Sequence, residues 1–253
     1  LDTAQAYRSS EGTLGQALKE GYRERCFLAT KVSGDYSPEA IVAAMDNSLR
    51  QLQVEHVDLY QIHGWNPAYS IAASMEAMAR LQEQGKTRSI GISNFNAAQM
   101  EQALRSVQFH SSQPRYNLID RQIEAEDIPF CQRQGIGILA HSPLGKGLLT
   151  GRYRPGHRFA DDDERAQFPR FQGETFARYV ALADRLEEIA AARGLSLVQL
   201  SIAWILRLPA LTCVLVGAKN PQQLSGHLGA VGVEFSPEEL ARIDAILEDA
   251  PHD

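Results

Sequence analysis

What most constrains this chain is an alternation. Short apolar runs of strand length are each followed by a stretch in which apolar residues recur at helical spacing. The runs are CFLAT (26–30), VDLYQI (57–62), RSIGIS (88–93), IGILAH (136–141) and TCVLVG (212–217), with a weaker one around FHSSQP (109–114). Their near-continuous hydrophobicity is that of strands buried on both faces of a parallel sheet. Between them Ile41, Met45, Leu49 and Leu52 keep a helical period behind Ser37, a capping type, and Pro38, suited to a first helical position. Ile71, Met75, Met78 and Leu81 follow Ser70 and stop at Gly85, and Asn96 opens a helix with Met100, Leu104 and Val107 on one side. Ser196 with Gln199, and Ser236 with Glu239, read as capping boxes, stapled by Leu195/Leu200 and Phe235/Leu240.

A βα series of this kind predicts a parallel sheet. Counting a stub before Asp2, it supplies seven strands. A doubly wound open sheet would announce itself by a GxGxxG turn near its first strand, and none is present. A barrel is therefore expected, in one domain over residues 1–253. Asp2 and Tyr7 follow Leu1 with no strand to carry them, so the barrel is expected to be truncated at its N-terminus by about one βα unit. Residues 143–175 break the rhythm, and a long irregular excursion at the strand-end rim predicts a lid. The run Asp161-Asp162-Asp163-Glu164 within it reads as a solvated loop.

Composition narrows the function classes. A net charge of −6 with no basic stripe argues against nucleic acid. No apolar stretch reaches membrane-spanning length and no signal-peptide pattern opens the chain. Cys26, Cys131 and Cys213 form no CxxC pair. They are expected to be buried, reduced thiols, which suits the cytoplasm. The histidines other than His63 (His56, His110, His141, His157, His227, His252) show no metal-ligand spacing, so no metal is expected.

Four polar residues carry the chemistry. Lys31 and His63 end strand-like runs, and Asp2, with Tyr7 just beyond it, follows the stub. Strand ends converge on the rim where a barrel builds its active site. A phenol titrates near 10 and is a reluctant acid. An adjoining ammonium, Lys31, is expected to acidify Tyr7, with Asp2 fixing the lysine and His63 holding a substrate oxygen. The set lacks a strong nucleophile but can protonate an alkoxide as it forms. No side chain supplies an electron pair to carbon, so a cofactor is expected to do so.

LDTAQAY, FLATK, DLYQIH, GISNFN and SPLGKGLLTG, in this order and nearly end to end, resemble the aldo-keto reductases. The resemblance implies a (β/α)8 barrel and nicotinamide-dependent reduction of a small-molecule aldehyde or ketone, with NADP(H) preferred and NAD(H) possible. Asp2, Tyr7, Lys31 and His63 match the catalytic tetrad, Tyr7 as general acid. Ser93, Asn94 and Gln113 match positions that hold the nicotinamide carboxamide, and His141 stands where an aromatic residue stacks on the ring. Ser142, Leu144, Gly145 and Lys146 match the diphosphate segment and the covering loop. Gly217, Ala218 and Lys219 follow the last strand before a helix opened by Asn220-Pro221, which suits a 2′-phosphate on Lys219 with Gln223 nearby. Gly226 and His227 depart from the Glu and Asn usual at the adenine end. Trp65 and Tyr69 are candidates for the substrate pocket. Two alternatives remain: a cofactor-binding regulatory or sensor subunit of the same fold, and a metal-dependent barrel hydrolase using Asp2 and His63.

Overall fold

In the computed structural model, which describes residues 1–251, the chain divides into two compact units. The first comprises residues 1–114 and 123–139, the second residues 115–122 and those from 140 onward. His252 lies outside the described residues.

The first unit contains α1 (Ser10–Ala17), β1 (Ala29–Val32), α2 (Pro38–Leu52), β2 (Val57–Ile62), α3 (Ile71–Glu83), β3 (Thr87–Ser93), α4 (Ala97–Leu104), β4 (Ser111–Gln113), α5 (Asp127–Gln134) and most of β5 (Gly137–His141). Its strands are parallel and lie side by side in chain order. The register sets Lys31 against Gln61 and Ser93 against Gln113. Side chains of a strand point alternately to opposite faces, and β1 uses both. Thr30 Oγ1 donates to the buried carboxylate of Glu11 in α1 at 2.7 Å, while Lys31 faces the other way. Two glycines permit close packing. A Cβ at Gly15 would stand 2.4 Å from the Gln51 carbonyl oxygen of α2, and one at Gly91 would stand 2.3 Å from Ser111 Oγ on β4.

The periodic helices form as their sequences dictate. In α2, Ile41, Met45 and Leu52 are buried; in α3, Ile71, Met75, Met78 and Leu81 are. The Ser70 hydroxyl accepts from the Ala73 amide, and Asn96 with Gln99 completes a capping box on α4. Ser37 differs from expectation. It makes no side-chain cap, because it is turned to the Asp35 carboxylate, which its backbone N–H reaches at 2.8 Å. Helix α4 also stops at Leu104, short of Val107.

The second unit contains the end of β5, then α6 (Gly173–Ala192), α7 (Leu197–Leu206), β6 (Leu211–Leu215), α8 (Pro221–Leu228) and α9 (Pro237–Leu247). Helix α7 is apolar nearly all round and accordingly buried. Both expected capping boxes are present, on α7 and α9. The strand order is β1-β2-β3-β4-β5-β6. Six strands thus stand among the described residues rather than seven; the stub is a single bridge between Asp2 and Ala29. β6, last in that order, keeps its side chains half-exposed, unlike the buried strands before it. The thiols also differ from expectation. Cys131 is buried, but Cys26 and Cys213 are partly open, Cys26 because it closes a 3-10 turn (Arg23–Arg25) ahead of β1.

Residues 143–175 are less irregular than their composition suggests. They hold 3-10 turns at Gly145–Thr150, Glu164–Gln167 and Pro169–Phe171. Tyr153 and Phe171 pack with Phe176 and Tyr179 of α6 in one aromatic cluster, with Phe159 against it. Asp163 is not merely solvated: it binds the Arg165 guanidinium, which also donates to Tyr153 Oη at 2.6 Å. Among the described residues no single helix is long and apolar enough to cross a membrane.

Candidate active site

Lys31 lies inside β1, not at its end, and its side chain is fully buried. An unpaired buried ammonium would be prohibitive, so its partners decide whether the strand can form. Nζ donates to Asp2 Oδ2 at 2.6 Å and to the Thr3 carbonyl at 2.8 Å. Asp2 is held there by the backbone. The Leu1 carbonyl accepts from the Ala29 amide at 2.8 Å, and the Thr3 amide donates to the Ala29 carbonyl at 3.0 Å. Its second oxygen, Oδ1, accepts from Gln113 Nε2 at 2.9 Å, and Gln113 Nε2 also donates to Gln61 Oε1 at 3.1 Å.

Tyr7 and His63 complete the cluster. Lys31 Nζ stands 5.2 Å from the Tyr7 ring centroid. The Tyr7 ring meets the His63 ring edge-on at 5.4 Å, with Oη 3.4 Å from Nε2. His63 Nδ1 lies 2.7 Å from Ser33 Oγ. The backbone of His63 is held on both sides: its amide donates to Val32, and its carbonyl accepts from Asn94 Nδ2 at 3.0 Å. The four residues singled out in the sequence are therefore linked in series, Asp2 to Lys31, Lys31 to the Tyr7 ring and Tyr7 to His63.

Their electrostatics differ from the sequence-based expectation at one point. Tyr7 is not acidified. Its phenol is pushed above its ordinary value, first by burial and then by the Asp2 charge. Lys31 is pushed below its ordinary value by burial, and Asp2 opposes that shift. Burial, then the Lys31 charge, pushes His63 down, with Asp2 opposing. The resting arrangement at neutral pH is a protonated phenol beside a neutral imidazole. Tyr7 keeps 45% of its surface open, so its proton is accessible to a ligand.

Ser93 and Asn94 stand at the end of β3. Ser93 Oγ donates to the Gln113 carbonyl at 2.7 Å and accepts from Asn94 Nδ2 at 3.1 Å, and Asn94 takes a left-handed backbone at φ 57°. Both Gln113 donors are spent on Asp2 and Gln61, so its first duty in this structure is to the Asp2 carboxylate. Trp65 meets Phe95 edge-on at 5.3 Å, Tyr69 meets Tyr36 at 5.7 Å, and all four line one small crevice with Gly64 and Asn66. Gln61, Thr3 and Ser33 are missed by sequence reasoning. Gln61 alone had a signal, a polar residue at an inward position of an apolar strand.

In the second unit, Ser142, Gly145, Lys146 and Gly147 all adopt positive φ, which turns the chain tightly after β5. His141 Nδ1 lies 2.9 Å from Ser142 Oγ, and the Ser142 carbonyl accepts from Asn117 Nδ2 at 2.9 Å. Leu144 packs on the cluster of Ile202, Ala203 and Ala230. Ser142, Gly145 and Lys146 line a cavity of about 380 Å³ with Arg115, Arg170 and Phe168. Gly217, Ala218 and Lys219 are exposed. Asn220 caps α8, and Gln223 Oε1 accepts from the Lys219 amide at 2.7 Å. Arg115, Lys146 and Arg170 bring three cationic side chains to this cavity, where Asp120 pairs with Arg170 and Glu164 with Lys146; cations here and a lysine ahead of a capped helix are donors of the kind phosphates take.

The comparisons with known proteins bear on family and fold. The Aldo/keto reductase family profile matches residues 1–248. Aldo-keto reductase YhdN of Bacillus subtilis (strain 168) is 35% identical over 266 aligned positions, covering 100% of this chain and 80% of that protein. Among solved structures, the glycerol dehydrogenase AKR11B4 from Gluconobacter oxydans matches with a TM-score of 0.90 at 32% identity, over 100% of this chain and 82% of its own. The thermostable aldo-keto reductase Tm1743, solved with the inhibitor epalrestat, matches with a TM-score of 0.78 at 28% identity, over 97% of this chain and 81% of its own. The fold class is α/β, the (β/α)8 barrel, of which the described residues show six parallel strands. The chain belongs to the aldo/keto reductase family and is a nicotinamide-dependent oxidoreductase.

Proposed function

We propose that this chain catalyses NADPH-dependent reduction of a small aldehyde or ketone to an alcohol, with Tyr7 as the proton donor. The observation that carries the reading is the contact cluster itself: a protonated phenol, 3.4 Å from an imidazole nitrogen, beside a buried lysine–aspartate pair. When bound, the nicotinamide supplies the hydride. The protein's part is to position and protonate. His63 Nε2 and Tyr7 Oη converge on the place a carbonyl oxygen must occupy, and Tyr7 gives its proton to that oxygen as negative charge develops there. Lys31 stabilises the phenolate that remains, and Asp2 holds Lys31.

Ser93, Asn94 and Gln113 would contact the carboxamide and His141 the nicotinamide ring. Ser142, Leu144, Gly145 and Lys146 would hold the diphosphate, and Gly217, Ala218, Lys219 and Gln223 the 2′-phosphate end. Trp65 and Tyr69 would wall the substrate pocket. Three cysteines outside any disulfide suit a cytoplasmic setting. Tyr7→Phe tests the reading most directly. It is expected to lower kcat for a generic aldehyde by about a thousandfold or more, while NADPH binding, followed by cofactor fluorescence, is retained. Retained turnover would reject Tyr7 as the acid. Tight NADPH binding with negligible turnover in the unaltered protein would favour the sensor reading instead.

A further inference from the structure

The His63 imidazole can hold its proton on either ring nitrogen, and the two tautomers do opposite things. With the proton on Nε2, the ring donates toward the oxygen-binding position beside Tyr7. With the proton on Nδ1, Nε2 becomes an acceptor and draws the Tyr7 hydroxyl to itself, away from a ligand. A neutral imidazole offers one donor and one acceptor, and the hydrogen bond at one nitrogen decides the other.

Ser33 stands at the deciding nitrogen. Its Oγ is 2.7 Å from His63 Nδ1, a full hydrogen bond, against 3.4 Å between Nε2 and Tyr7 Oη. Ser33 directly follows β1, and Gly34 beyond it takes φ 87°, which turns the chain there. The Ser33 amide donates to Gln5 Oε1 at 3.2 Å, fixing the residue from the turn that follows Asp2. Nδ1 lies within hydrogen-bond reach of the Ser33 hydroxyl, which is free to donate to it.

We infer that Ser33 is a positioning residue: its hydroxyl donates to His63 Nδ1 and thereby keeps the proton on Nε2, where it faces the carbonyl oxygen. Burial and the Lys31 charge hold the ring neutral near pH 7, so the choice of tautomer has consequences. The long Nε2–Oη separation fits this assignment, because a ligand oxygen can then take both donors without first breaking a strong bond between them. Ser33 touches neither substrate nor cofactor; it acts through His63.

This inference rests on the carbonyl-reduction reading for its kinetic consequence but not for its structural one. The test is ¹⁵N NMR of the His63 ring in the full chain near pH 7, with steady-state kinetics of Ser33→Ala and Ser33→Thr. The expected result is an unprotonated Nδ1 and a protonated Nε2 in the unaltered protein, with a mixture of tautomers in Ser33→Ala. Ser33→Ala should lower kcat by about tenfold, the worth of one hydrogen bond of this kind, with the Kd for NADPH unchanged. Ser33→Thr, which keeps the hydroxyl, should restore both the spectrum and kcat. A proton on Nδ1 in the unaltered protein overturns the inference, and so does a Ser33→Ala variant with the original tautomer and full kcat. Should Ser33→Ala fail to fold, the spectrum of the unaltered protein decides alone. Should the unaltered protein reduce no carbonyl, the functional reading fails while the spectrum still judges Ser33.

Discussion

Lys31 and Lys146 carry the same side chain in opposite surroundings. Lys31 sits within a strand of the first unit, fully buried, with its ammonium divided between Asp2 and the Thr3 carbonyl. Lys146 sits in the second unit on a left-handed turn, exposed, paired with Glu164 at 2.6 Å and lying over the Phe168 ring. Breaking a buried pair strands a charge in the interior, whereas an exposed pair contributes little beyond what water already offers. The contrast teaches a division of labour. Of the residues proposed to handle the proton, Lys31 lies within β1 and Asp2 is bridged to it. Those proposed to face the phosphates stand on turns and at a helix cap.

The largest effect that could break this contrast is at Asp2. Asp2→Ala should cost roughly 3 kcal/mol of stability in denaturant titration, because it leaves Lys31 charged and buried. Adding Lys31→Met should recover much of that loss without restoring activity. A single-variant cost below about 1 kcal/mol would show that the pair is no more consequential than a surface one. Next in size, Lys219→Ala should weaken NADPH by about tenfold, a charge-assisted contact's worth, and NADH hardly at all. Equal losses in fluorescence titrations would remove the 2′-phosphate from that lysine.

A pH series sharpens the comparison further. His63 titrates below its unfolded value of 6.5 in the folded protein. The unfolded chain therefore takes up a proton first as pH falls, so stability declines from about pH 6.5 down to the folded value and then levels off. His63→Gln should flatten that decline. The smallest effect is expected at the exposed pair: Glu164→Gln should change stability by no more than about 0.5 kcal/mol.

Much of the fold is legible in the sequence because its signals are local. VDLYQI forms β2 over the very residues expected, and the capping boxes at Ser196 and Ser236 form as written. These devices depend on neighbours a few positions away. Residues 143–175 are harder to read, since Tyr153, Phe159 and Phe171 find their partners in Phe176 and Tyr179 of α6 and in one another. Ser37 deceives because Asp35, two residues earlier, competes for it.

The site shows the same limit. The order of motifs places Asp2, Tyr7, Lys31 and His63 together, and they are together. Their electrostatic outcome is not legible, because it depends on how deeply Tyr7 is buried and how near Asp2 stands to it, which spacing along the chain does not give. Ser33 and the Gln61–Gln113 bridge to Asp2 are invisible for a related reason. Each joins residues 30 to 111 positions apart through a single polar atom.

The seat of Lys31 within β1 has one more consequence. Its partner across the ladder is Gln61, and side chains alternate between faces along a strand. If the two strands paired one step out of line, the ammonium would swing to the helix side, where Thr30 now meets Glu11, and the phenol would lose its neighbour. Under the proposed roles of Lys31 and Tyr7, turnover would therefore double as an assay of assembly: only molecules whose first two strands have zipped in the right alignment would be counted by the product they make.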